Sequence, residues 1–154
     1  MRLYTFTNMY LSPIQKGIQS AHVVHDLFMK YPGTDPIIDQ PWTDQHHTLH
    51  EWALDHKTMI VLNGGYQSTL QELYDMFDSD QNKFPFEKFH EEEASLNGAL
   101  TCVGIVLPKY IYEASQIVRT APSLLQALHA NGFMELDGEH VEINRWEAKL
   151  IESL

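Results

Sequence analysis

Residues Leu100 to Leu107 read LTCVGIVL, an uncharged run that is apolar on both of its alternating faces. A strand of that kind belongs in the middle of a sheet, with neighbours on both edges and cover on both sides. The rest of the chain must therefore supply further strands and at least two layers of helix. It does so in alternation. Arg2 to Asn8 (RLYTFTN) is aromatic and β-branched, the composition of a strand. Thr58 to Leu62 (TMIVL) predicts a buried strand that stops at Asn63-Gly64-Gly65. Phe84 to Phe89 predicts another, confined to an edge by Pro85.

The helices between them announce themselves by their caps. Ser12 precedes Pro13 and stands three residues before Gln15, the capping-box spacing with proline at the first helical position. Ile14, Ile18, Ala21, His25 and Phe28 recur at helical intervals, a stripe expected to face the sheet. Tyr31-Pro32-Gly33 stops this helix, and residues 34–41, with Pro36 and Pro41, read as loop. Thr43 caps a second helix to about Lys57, with Leu49, Trp52, Ala53 and His56 on one side. Ser68 and Gln71 repeat the box ahead of Leu70, Leu73, Tyr74 and Phe77.

Beyond Pro108 the pattern predicts helices over Tyr110–Arg119 and Ser123–Ala130. A hairpin turning at Asp137-Gly138 follows, then a final helix capped by Asn144 and Glu147. The expected architecture is α/β: a small mixed sheet with helices, plus a C-terminal helix-hairpin-helix extension. The division is 1–108 for the α/β domain and 109–154 for the extension, packed on the same domain.

Composition narrows the partners. The chain has 154 residues, of which 44% are hydrophobic and 20% charged, an ordinary globular mix. A single cysteine, Cys102, excludes an internal disulfide and a cysteine-built zinc cage, and fits a reducing, cytoplasmic setting. The N-terminus lacks the apolar core of a secretory signal, and no stretch approaches a membrane span. Ten Lys and Arg against 21 Asp and Glu give a net charge of −11. A nucleic-acid surface would have to be local, against an unfavourable overall field. Eight carboxylates fall between Gln71 and Glu93, a solubilising face or a surface for a basic partner.

Cys102, inside the apolar run, is expected to be an inert core thiol. His46 and His50 stand at i, i+4 with His47 and Glu51 beside them, a spacing that can serve zinc. No third ligand is placed by the sequence, so no metal is expected. The first helix is more telling: Gln15, Gln19 and His22 form one polar ridge, and Lys16 sits at the same end, just after a strand-to-helix loop. Ligands in α/β sheets favour such strand ends.

The segment Thr7 to Val23, TNMYLSPIQKGIQSAHV, resembles the N-terminal motif of the peptidyl-tRNA hydrolase 2 family, T-D-L-x-M-x-x-G-K-I-A-A-Q-x-x-H-A, with Thr7, Gln19 and His22 in register. Leu49 to Trp52 with Met59 to Leu62, then LQELY at Leu70–Tyr74 and TCVGIVLP at Thr101–Pro108, resemble later family segments in the same order. The resemblance runs from Arg2 to Pro108 and implies a four-stranded mixed sheet with helices on both faces, often dimeric. It implies hydrolysis of the ester joining a peptide or N-blocked aminoacyl group to tRNA, without cofactor or metal. The site it implies gathers Gln15, Lys16, Gln19 and His22, with Glu91 or Glu92 as base. Gln15 stands where the family has lysine, Asn8 where it has aspartate, and FEKFHEEEASL where it has a D-A-G-x-T loop. Those departures and the net charge support an alternative, a catalytically inactive module that uses the same fold and an acidic surface to bind a protein.

Overall fold

The computed structural model describes residues 1–33 and 41–154, so the loop expected over residues 34–41 lies, but for Pro41, outside the described residues. The chain divides into two compact units, Met1–Val106 and Leu107–Leu154. The first holds a four-stranded sheet in the order β2-β1-β4-β3, built from β1 (Arg2–Thr7), β2 (Met59–Asn63), β3 (Phe86–His90) and β4 (Leu100–Leu107). β1 runs parallel to β2 and β3 antiparallel to β4, so the sheet is mixed. All of β4 is buried and lies between β1 and β3, as its two apolar faces demand.

Helices cover both faces. On one side, α1 (Pro13–Lys30) and α2 (Asp44–Glu51), the latter continued by a π-helical turn Trp52–His56, pack onto the sheet. Leu3, Cys102 and Val106 of the strands meet Val23, Leu27, Tyr31, Leu49 and Trp52 there. On the other side α3 (Gln67–Phe77) places Phe77 against Phe6 at 6.1 Å and Phe86 at 6.4 Å between ring centroids. Gly104 lets α1 settle close. A Cβ at that position would lie 2.5 Å from Val23 Cγ1.

Three expectations are corrected. The Ile14–Ile18–Ala21–His25 side of α1 faces solvent, with Ile14 78% and Ile18 49% exposed, while Gln19, Ser20, Val23 and Leu27 are buried. The sheet under this half of α1 offers threonines rather than apolar surface: Thr5 Oγ1 bonds Ser20 Oγ at 2.8 Å, and Thr101 reaches Gln19. Polar side chains therefore turn inward to satisfy polar strands. β2 is an edge strand, not a buried one, with Met59 and Val61 about 40% exposed. α3 starts at Gln67 after an extended Tyr66, which puts Ser68 inside the helix rather than at its cap. A single-turn helix, α4 (Glu93–Leu96), appears in the β3–β4 connection.

The second unit contains α5 (Lys109–Thr120), α6 (Ser123–Asn131), the antiparallel strands β5 (Phe133–Leu136) and β6 (Glu139–Glu142), and α7 (Arg145–Ser153). Asn144 Oδ1 accepts from the Glu147 N–H at 2.9 Å, and Glu147 Oε2 accepts from the Asn144 N–H at 2.8 Å, closing the cap of α7. Glu147 also accepts from the Tyr110 hydroxyl at 2.7 Å, which joins α5 to α7. Among the described residues no helix is long and apolar enough to cross a membrane.

Candidate active site

The end of β1 abuts the start of β4, where the Asn8 N–H donates to the Thr101 carbonyl at 2.9 Å. α1 begins just beyond, its first turn closed by Ser12: the Gln15 N–H donates to Ser12 Oγ at 3.3 Å and Gln15 Oε1 accepts from the Ser12 N–H at 2.9 Å. Gln15 is exposed, and its carbonyl oxygen is committed to this cap. One turn later Gln19 is buried to 5% exposure, so its amide needs partners on both ends.

It has them. Gln19 Nε2 donates to Glu91 Oε1, and Gln19 Oε1 accepts from the Thr101 hydroxyl at 3.3 Å. The second oxygen of Glu91 accepts from Ser95 Oγ at 3.1 Å. The result is a connected group of one carboxylate, one amide and two hydroxyls drawn from α1, the β3–β4 connection and β4. Each carboxylate oxygen accepts one of these bonds and keeps a lone pair, which leaves room for a water or a substrate hydroxyl.

The β3–β4 connection is built to hold Glu91 there. Its N–H donates to the Ala99 carbonyl at 3.0 Å, and the His90 ring nitrogen Nδ1 lies 2.9 Å from the Gly98 carbonyl. Asn97 and Gly98 take left-handed backbone angles, φ 51° and 65°, which turn the chain back toward β4. The intervening turn of helix sets Ser95 four residues after Glu91, on the same side.

His22 lies on the same flank of α1, three residues from Gln19, and stacks on Phe89 of β3 with ring centroids 4.3 Å apart and planes 10° from parallel. Lys16, also three residues from Gln19, is half-buried, and its carbonyl accepts from Ser20 Oγ at 2.8 Å. Of the residues singled out in the sequence, Gln19 and Glu91 bond directly. His22 sits against β3 beside them, and Gln15 is turned to helix capping. Glu92 is exposed, and its carbonyl shares the one Ser95 hydroxyl proton with the Glu91 carboxylate. Ser95 and Thr101 were not singled out. Ser95 carries a signal in its i+4 spacing from Glu91, and Thr101 heads the TCVGIVLP segment, though no site role is read for it there.

His46 and His50 each commit one ring nitrogen to a contact within the chain. His46 Nδ1 faces the Thr43 N–H and hydroxyl at 3.3 and 2.8 Å, and His50 Nε2 lies 3.2 Å from the Tyr31 carbonyl. Trp42 stacks on both rings. Among the described residues no group of three or more His, Cys, Asp or Glu is arranged to hold a metal ion. Burial pushes the Cys102 thiol up to about 12, so it is a core group without nucleophilic use near neutral pH. Set against known proteins, the chain matches no family model and no curated sequence.

Proposed function

We propose that the chain is a hydrolase of the ester that joins a peptide, or an N-blocked amino acid, to the 3′ oxygen of tRNA. The observation that carries the reading is the Glu91 carboxylate, held at one oxygen by the buried Gln19 amide and at the other by Ser95. A carboxylate fixed in this way is a general base for a water molecule. The water loses a proton to Glu91 as its oxygen bonds to the ester carbonyl carbon. The C–O bond to the ribose then breaks, the 3′ oxygen takes back the proton held by Glu91 to become the free tRNA 3′ hydroxyl, and the released carboxylic acid gives its remaining proton to solvent as a free carboxylate. Lys16 is the nearest cation along α1 and suits the developing oxyanion. The resemblance of the α1 segment to the peptidyl-tRNA hydrolase 2 family supports the same assignment, with Ser95 supplying a hydroxyl four residues after the carboxylate as that family's loop does.

A second reading, a non-catalytic module that binds a basic protein, is favoured by one observation: Gln15 replaces the family's lysine and spends its side chain on the cap of α1. Release of an N-acetylated amino acid from its tRNA separates the two. The hydrolase reading expects turnover by the wild type and a loss of 10²-fold or more in Glu91→Gln. Lys16→Ala and His22→Ala should lose activity as well. A wild type that releases nothing at high enzyme concentration, or a Glu91→Gln variant as fast as wild type, refutes it.

A further inference from the structure

Thr101 stands second in β4 at 2% exposure, and its backbone is anchored by its carbonyl, which accepts from the Asn8 N–H at 2.9 Å. The side chain takes no part in that bond. Its hydroxyl has one proton and two acceptors within reach, Gln19 Oε1 at 3.3 Å and the Phe89 carbonyl at 3.4 Å. Further along the same strand Val103 and Val106 are fully buried, so β4 packs valine readily. Threonine and valine share the β-branched shape, and the hydroxyl is what distinguishes position 101 from them.

A glutamine amide has two ends of nearly equal shape and opposite hydrogen-bonding sense: the oxygen accepts and the nitrogen donates. An ionised carboxylate only accepts, so Glu91 takes the nitrogen end of Gln19. The oxygen end then needs a donor, and at 5% exposure that donor has to come from the protein. Thr101 supplies it. Without the hydroxyl, the oxygen either stays buried and unpaired or the side chain turns to seek water, and the turn takes Nε2 away from Glu91. Either way the carboxylate loses its fixed place and is left with Ser95.

The second acceptor widens the role. Phe89 shares the Thr101 proton at its carbonyl, and its ring carries His22 at 4.3 Å. One hydroxyl therefore touches both the amide that holds the carboxylate and the strand residue that backs the histidine. Resting on the hydrolase reading, we infer that Thr101 is a positioning residue of this site: its hydroxyl aims the Gln19 amide so that the nitrogen holds Glu91 for the attacking water. Buried as it is, Thr101 acts through Gln19 and not on the substrate.

The test compares Thr101→Val, which keeps the shape and removes the hydroxyl, with Thr101→Ser, which keeps the hydroxyl. On release of an N-acetylated amino acid from its tRNA, Thr101→Val should lower kcat about tenfold at unchanged KM, and Thr101→Ser should recover most of that loss. Once Gln19→Met has removed the amide, Thr101→Val should cost nothing further. Wild-type kcat in Thr101→Val, no recovery with serine, or an equal loss in both backgrounds would each overturn the assignment. A readout without turnover separates it from the hydrolase reading. By NMR of isotope-labelled protein, the Gln19 side-chain NH2, identified by its loss in Gln19→Met, should exchange with water more slowly than that of the exposed Gln15. The protection should vanish in Thr101→Val and return in Thr101→Ser. Protection that depends on Thr101 without ester cleavage removes the hydrolase and leaves the positioning role standing; cleavage with protection and kcat both unchanged in Thr101→Val does the reverse. If the valine variant does not fold, Thr101→Cys, whose thiol is a weak donor, takes its place with the same outcomes.

Discussion

Gln19 is a buried amide bonded at both ends. An amide buried without partners would cost several kcal/mol, and the cost is offset only because Thr101 satisfies its oxygen and Glu91 its nitrogen. The hydrogen-bonded amide in turn fixes where the carboxylate stands, so burial and chemistry are the same requirement at this residue. Gly104 shows the opposite economy, a side chain omitted so that Val23 of α1 can press against β4. Gly104→Ala should overpack this contact and destabilise the protein by about 1–3 kcal/mol, read from a shifted urea midpoint with an unchanged slope. A midpoint equal to that of wild type would mean that α1 can retreat without loss.

At the scale of elements, the strands and the caps at Ser12 and Asn144 were legible in the residues, while the cap of α3 and the facing of α1 were not. The boxes at Ser12 and Asn144 form as their spacing dictates, and β4 is central because nothing else can be done with LTCVGIVL. The direction of α1 was misread because an apolar stripe was matched to an assumed apolar sheet. Thr5 and Thr101 make that sheet polar where Ser20 and Gln19 meet it, a long-range fact absent from any window of α1. The candidate site was half visible for the same reason: Gln19 and Glu91 stand out in sequence, while the bond that brings Thr101 to Gln19 is a tertiary contact. The start of α2 carries its own titration. His46 Nδ1 must be unprotonated to accept from the Thr43 N–H, and burial, with the His50 and His47 rings nearby, holds its pKa below the ordinary histidine value. A group with a lowered folded pKa contributes stability above the unfolded value of about 6.5 that is lost as pH falls below it. Between about pH 7.5 and 5 the wild type should therefore lose stability relative to His46→Gln, whose amide accepts the same bond at every pH. Parallel denaturation curves for the two proteins across that range would disprove the cap's sensitivity.

For the molecule as a whole, the excess of acid and the order of the strands act together. A net charge of −11 sets copies of the chain repelling one another near neutral pH, a repulsion that bears on β2. Among the described residues it is a rim strand with a neighbour on one side alone, and Met59 and Val61 are exposed where lysines or a proline would ordinarily discourage company. As the medium approaches the isoelectric point near pH 5.1, repulsion vanishes while the open rim remains. Light scattering should then rise steeply for the wild type and much less for Val61→Lys, and identical turbidity in the two would clear β2 of responsibility. The same strand that lends a parallel neighbour to β1 is thus expected to make acid a hazard, with the electric field rather than the outline holding copies apart.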